Sequence, residues 1–128
     1  NMQPQKIVFW GPDKNVDNVI KKYHDYIFLT SFDHNANNIL PLLNDKFNLN
    51  DVYMKLGINS LLVEGGNFLH NYLLNISEYD YFYWFKSKDV ISNGIQFNKS
   101  IIDKLDSEYK LINKFPLKDN QLTTYTYI

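Results

Sequence analysis

The stretch Leu61-Leu62-Val63-Glu64-Gly65-Gly66, which runs into a helical pattern at Asn67-Phe68-Leu69-His70, constrains this chain more than any other. Three apolar residues, an acid and two glycines predict a buried strand that ends in a carboxylate and turns sharply into a helix. Paired glycines let a backbone turn tightly and approach another surface closely. The N–H groups of a first helical turn point into open space, where an anion can bind. In an open α/β sheet, ligands sit outside the carboxyl ends of the strands, which is where such a turn lies. Glycines at a strand–helix turn also serve packing alone, and the spacing leaves both readings open.

The rest of the chain reads around that turn. Residues 5–10 predict a short buried strand, closed by Gly11-Pro12. Asp13 is a candidate helix cap, with Val16, Val19, Ile20 and Tyr23 at helical spacing behind it. Residues 26–30 form the next strand and 31–38 a polar loop. Residues 39–43 contain Pro41, which restricts them to an edge strand or irregular packing. Asn48 or Asn50 caps a helix whose apolar face is Leu49, Val52, Tyr53 and Leu56, and Gly57 ends it. A strand over 60–64 leads to a helix over 67–75. In that helix Phe68, Leu69, Tyr72 and Leu73 face inward, while His70, Asn71 and Asn75 face out.

Beyond it, residues 79–86 predict a long aromatic strand, buried on both faces, with one side a candidate subunit interface. Residues 89–100 read as a loop and 101–105 as a helical turn. Residues 109–115 and 122–128 form a hairpin joined by 116–120. Strand–helix alternation followed by antiparallel strands predicts an α/β fold whose mostly parallel sheet has an antiparallel C-terminal edge. The length, 128 residues, suits one domain over 1–128.

Composition excludes several function classes. A net charge of −1 steers the chain neither to nucleic acid nor to an anionic membrane. The aromatic run at 79–85 has the composition of a base-stacking platform, but its few cations favour a core strand. No apolar run reaches the roughly 20 residues that span a membrane. The chain has no cysteine, which removes thiolate metal sites and disulfides and fits a reducing compartment. It also excludes a zinc deaminase centre of the Pro-Cys-x-x-Cys kind within this chain. His24, His34 and His70 lack the spacing of a metal site. Arginine is absent, so any phosphate must be held by Lys, hydroxyls or backbone N–H groups rather than guanidinium forks.

The segment Val63-Glu64-Gly65-Gly66-Asn67-Phe68-Leu69, preceded by Leu56-Gly57-Ile58-Asn59-Ser60, resembles the late motif of the riboflavin-biosynthesis pyrimidine reductases. Those reductase domains share the dihydrofolate reductase fold. Pro4-Gln5-Lys6-Ile7-Val8-Phe9 resembles that family's Pro-x-Arg-Ile-Val strand, with Lys6 in place of Arg. Tyr79-Asp80-Tyr81-Phe82-Tyr83-Trp84 occupies the place of its Val-Asp-Glu strand. Asn93-Gly94 falls near its following glycine at a shifted spacing, and residues 122–127 resemble its closing strand. The likeness runs thinly along the chain and is specific around 56–70.

The resemblance implies a three-layer sandwich of the dihydrofolate reductase type. It implies NADPH-dependent reduction of 5-amino-6-(5-phosphoribosylamino)uracil, a pyrimidine ribotide, by a cytoplasmic homodimer formed through sheet-edge pairing. Glu64 would contact the substrate side of the cleft. Gly65, Gly66 and the turn Asn67, Phe68, Leu69, His70, Asn71 and Tyr72 would wrap the cofactor's pyrophosphate, with a cis peptide between the two glycines. Gly11 stands where relatives carry a cofactor-contacting Ser, although Trp10-Gly11 departs from the family's Asp-Ser pair. No catalytic acid, base or metal ligand is implied, because the hydride chemistry belongs to the nicotinamide.

The family's opening Ser-x-Asp-Gly turn and its ribose-phosphate Asp and Arg residues have no counterpart here. The resemblance therefore implies the C-terminal portion of a reductase, with little or no turnover alone. Asn1-Met2 leaves open a cut fragment or a naturally short protein. The alternative reading is a non-catalytic nucleotide-binding or oligomerisation module of the same fold.

Overall fold

The computed structural model describes residues 3–76 and 79–128. The chain divides into two compact units, Asn1–Leu62 and Val63–Ile128. It is an α/β protein whose strands form two three-stranded sheets, one parallel and one antiparallel, rather than one mixed sheet.

The first unit is the parallel one. Strand β1 (Ile7–Gly11), helix α1 (Asp17–Lys22) and strand β2 (Ile27–Thr30) make a βαβ unit, and the two-residue β3 (Ile39–Leu40) adds an edge. Order β1-β2-β3 puts β2 in the centre. Its Phe28, Leu29 and Thr30 are consecutively buried, as expected of a parallel strand covered on both faces. Val16, Ile20, Phe28 and Ile39 form the core, with Val8, Trp10 and Ala36 against it. On the sequence pattern Asp13 should cap α1. Instead its Oδ1 accepts from the Asn15 N–H at 2.9 Å in an Asx turn, and α1 starts at Asp17 behind the buried Val16. Helix α2 (Leu49–Leu56) follows the pattern closely. Asn48 accepts from the Asn50 N–H as its cap, Val52 is buried, and Gly57 ends the helix in the left-handed region at φ 61°. Residues 58–66 are irregular, so the strand predicted over 60–64 does not form. Its residues favour a strand, but a strand exists only in a ladder, and among the described residues none pairs with this segment.

The second unit is the antiparallel one. Helix α3 (Asn67–Ile76), strand β4 (Tyr81–Ser87), helix α4 (Lys99–Glu108), and strands β5 (Tyr109–Leu117) and β6 (Asn120–Tyr127) follow in order. The sheet order is β4-β6-β5. β5 and β6 are longer than predicted and joined by a two-residue turn, Lys118-Asp119, with Lys118 at φ 50°. Pro116 falls inside β5, where an edge strand tolerates it. Leu74, Ile101 and Leu105 pack with Phe82 and Tyr109, so α3 and α4 cover one face of the sheet. β4 alternates buried and exposed residues along its first half. Burial on both faces, expected from its aromatic content, does not occur within one chain: Tyr81, Tyr83 and Phe85 are exposed.

Candidate functional site

The glycine turn sits at the start of α3. The His70 N–H donates to the Gly66 carbonyl at 3.2 Å, which makes Gly66 the residue that begins the helix. With no side chain, Gly66 brings no cap of its own to the N–H groups of Phe68 and Leu69, the two a capping oxygen normally serves. The two glycines differ. A Cβ on Gly65 would lie 2.8 Å from Leu69 Cδ2, whereas a Cβ on Gly66 would meet nothing within 4 Å. Gly65 is therefore needed for packing, and Gly66 keeps the approach to the helix start open. No peptide among the described residues is cis, so the Gly65–Gly66 bond is trans, contrary to the expectation drawn from the fold.

A second helix start lies beside the first. Asn67 Oδ1 accepts from the Asn98 N–H at 2.9 Å, and Asn67 Nδ2 donates to the Gln96 carbonyl. Ser100 Oγ lies 2.7 Å from Asn71 Oδ1 and 2.9 Å from Asn98 Oδ1, so its one proton faces two acceptors. Further along, Lys104 Nζ donates to the Leu74 carbonyl. These three pairings, taken in order, mean that α3 and α4 run parallel with their N-termini together. Neither first turn carries an acid, and α4 begins at Lys99. Two positive helix ends and a lysine thus share one end of the unit, an arrangement that favours an anion. Residues 89–100, a loop on the sequence pattern, instead carry a helix start at Asn98, Lys99 and Ser100. The signal was present, because an Asn-x-Ser step directly before Ile101 is a helix-start pattern. Asn98 does cap α4, accepting from the Ser100 N–H at 3.0 Å.

His70 ties the turn to the sheet. Its imidazole lies 3.3 Å from the Tyr79 hydroxyl and edge-on to Phe82, with ring centroids 5.5 Å apart. Burial pushes its pKa below the ordinary 6.5, opposed by a hydrogen bond to the Gly65 backbone. His70 was predicted to face out; it faces the core, and Phe68, predicted inward, is 84% exposed. The inward stripe is His70, Leu73 and Leu74. The helical period was right, but its phase was set by packing on β4. The exposed Phe68 ring stacks on Tyr72, with centroids 6.4 Å apart. Tyr79 is pushed well up by burial first and by Tyr109 second, and its N–H donates to the Tyr109 hydroxyl at 2.8 Å.

The remaining candidates are less gathered. Glu64 is exposed in the irregular segment before α3, not at a strand's end. Gly11 belongs to the first unit, where it closes β1 at φ 79° beside a bulge in the β1–β2 register. That φ accounts for a glycine there without a ligand. Trp10 Nε1 donates to the Asp13 carbonyl at 2.6 Å in the same corner. Among the described residues no group of His, Asp and Glu is placed to hold a metal ion, and no helix is long and apolar enough to cross a membrane. No protein-family model matches the chain, and no curated protein matches it.

Proposed function

We propose that the second unit binds the pyrophosphate of NADPH at the paired starts of α3 and α4, and that the chain is the cofactor-binding portion of a pyrimidine reductase of dihydrofolate reductase-like fold. The observation that carries this reading is the open Gly66: it offers no capping side chain to the first N–H groups of α3, beside a second helix start and Lys99. The residues present fit a diphosphate without arginine, since backbone N–H groups and a single ammonium replace the guanidinium forks. NADPH, when bound, supplies the hydride for a ribosylamino-pyrimidine phosphate. The chain's own part is to hold negative charge and to fix the turn, with His70 locking Gly65 to the sheet and Asn67 locking α3 to the segment before α4. Glu64, as the matched residue of the resembling motif, would face the pyrimidine.

An NADPH titration read by nucleotide emission tests this, with Gly66→Val as the control. The valine side chain enters open space, so the variant stays folded while the approach is blocked. Saturable binding that the valine abolishes is the expected result. No binding at millimolar NADPH, or equal binding by both proteins, removes the reading. A non-catalytic module of the same fold is favoured by a different observation, the exposed aromatic face of the antiparallel sheet.

A further inference from the structure

The antiparallel register sorts the second sheet into two faces. Residues directly opposite share a face, so four cross-strand rows point away from α3 and α4: Tyr81–Thr126–Lys110, Tyr83–Thr124–Asn113, Phe85–Leu122–Phe115 and Ser87–Asn120–Leu117. An antiparallel sheet with one solvated face normally carries polar residues there. This one carries rings. Tyr81, Tyr83, Phe85 and Phe115 are 56%, 55%, 66% and 54% exposed, and Tyr81 stacks on Tyr83 at 6.4 Å between centroids. We infer that this face is a self-association surface, on which a second copy of the chain packs sheet to sheet about a two-fold axis between Thr124 and Leu122.

Three features select a second copy. The first is charge. Lys110 is the only charged residue in the four rows, so an unlike partner finds almost no pattern to complement, and a nucleic acid finds one cation where it needs a groove of them. The second is self-compatibility. With the axis between Thr124 and Leu122, three residues along β6 from Thr126 and hence from Lys110, antiparallel packing sets each row on a row of the partner copy and separates the two lysines by roughly 20 Å at about 3.3 Å per residue. That exceeds the screening length of about 8–10 Å at physiological salt. The third is area. A fully buried aromatic side chain covers about 150–250 Å², so the exposed halves of four rings, with Leu117 and Leu122 between and beside them, offer roughly 600 Å² per copy. Two copies then bury about 1,200 Å² in total, at the lower bound for a specific interface. Packed sheets also match the usual separation of about 10 Å, which rings of this size fill. The surface is the sheet's face, not an edge, and it does not depend on nucleotide binding at the α3 turn.

Two readouts test it. Sedimentation equilibrium across micromolar to submillimolar protein should show the average mass rising from one chain toward two, and Phe85→Lys should weaken association at least about tenfold, as loss of a central aromatic anchor does. The chain has no cysteine, so Thr124→Cys introduces a single thiol on this face. Its rate of maleimide labelling should fall as protein concentration rises, while Ser107→Cys, exposed on α4, labels at a constant rate. The thiol test stands even where Phe85→Lys fails to fold. A monomer throughout the range overturns the inference, whether or not that monomer binds zwitterionic vesicles. A dimer that leaves Thr124→Cys unprotected also overturns it, because the interface then lies elsewhere, as sheet-edge pairing would place it.

Discussion

The two sheets solve the same problem in opposite ways. In the parallel sheet the central strand β2 is covered on both faces, and its apolar residues run without interruption. In the antiparallel sheet β4 is covered on one face only, yet its sequence opens on five consecutive aromatic residues. A crossover helix must pack back onto a parallel sheet, so coverage comes with the connection. A hairpin sheet has no such obligation, and coverage of its second face has to come from something else. An unbroken apolar run therefore means burial within the chain in one topology, and an unbroken aromatic run leaves an outward face in the other.

The sharpest way to break that comparison uses one residue type in both sheets. Phe28 in β2 is buried, so Phe28→Ala should cost about 3–5 kcal/mol in urea unfolding, from lost transfer free energy and the cavity left behind. Phe85 in β4 points outward, so Phe85→Ser, measured at high dilution, should stay within about 0.5 kcal/mol of the parent. Equal costs at both positions would mean that β4 is covered on both faces within one chain.

Local rules were readable in the sequence, and non-local ones were not. α2 was legible from its apolar face, Gly57 and an asparagine cap at 48 or 50, all within ten residues, and the structure places the cap at Asn48. The strand at 60–64 failed because pairing depends on a distant neighbour, and Leu62, left 79% exposed, shows that local β-propensity does not supply one. The phase of α3 was misread for the same reason: Phe68 and His70 exchanged places because β4 decides which side of the helix is covered. The parallel pairing of α3 with α4, on which the anion site depends, joins residues about thirty apart in sequence and has no local signature beyond the Asn98 cap.

Next in size are the glycines, which separate backbone need from packing need. Gly57→Ala should cost about 1 kcal/mol, because alanine resists the left-handed region at φ 61°. Gly65→Ala should cost about as much through overpacking against Leu69. Gly66→Ser should go the other way and stabilise by a few tenths of a kcal/mol, since a serine oxygen caps the Phe68 and Leu69 N–H groups. The same oxygen would occupy the donors assigned to pyrophosphate, so tighter folding with weaker NADPH binding is the paired outcome. A serine variant that binds NADPH as well as the parent would place the anion away from this helix start.

The smallest effect concerns His70, half-buried between the Gly65 backbone, Tyr79 and Phe82. Its pKa is lowered in the folded chain, so below the ordinary 6.5 the unfolded chain binds more protons than the folded one. Stability from this group is fully present above pH 6.5 and declines as pH falls toward the folded value. His70→Gln removes the titration while keeping a polar side chain that can reach the Gly65 carbonyl. Urea midpoints at pH 7.5 and 5.5 should therefore differ less in the variant than in the parent. Carboxylates and the other histidines contribute equally to both proteins, so the difference between the two pH responses isolates His70. An identical response would mean that the imidazole titrates as it does in the unfolded chain, and its contact with Tyr79 would then be too loose to hold the glycine turn.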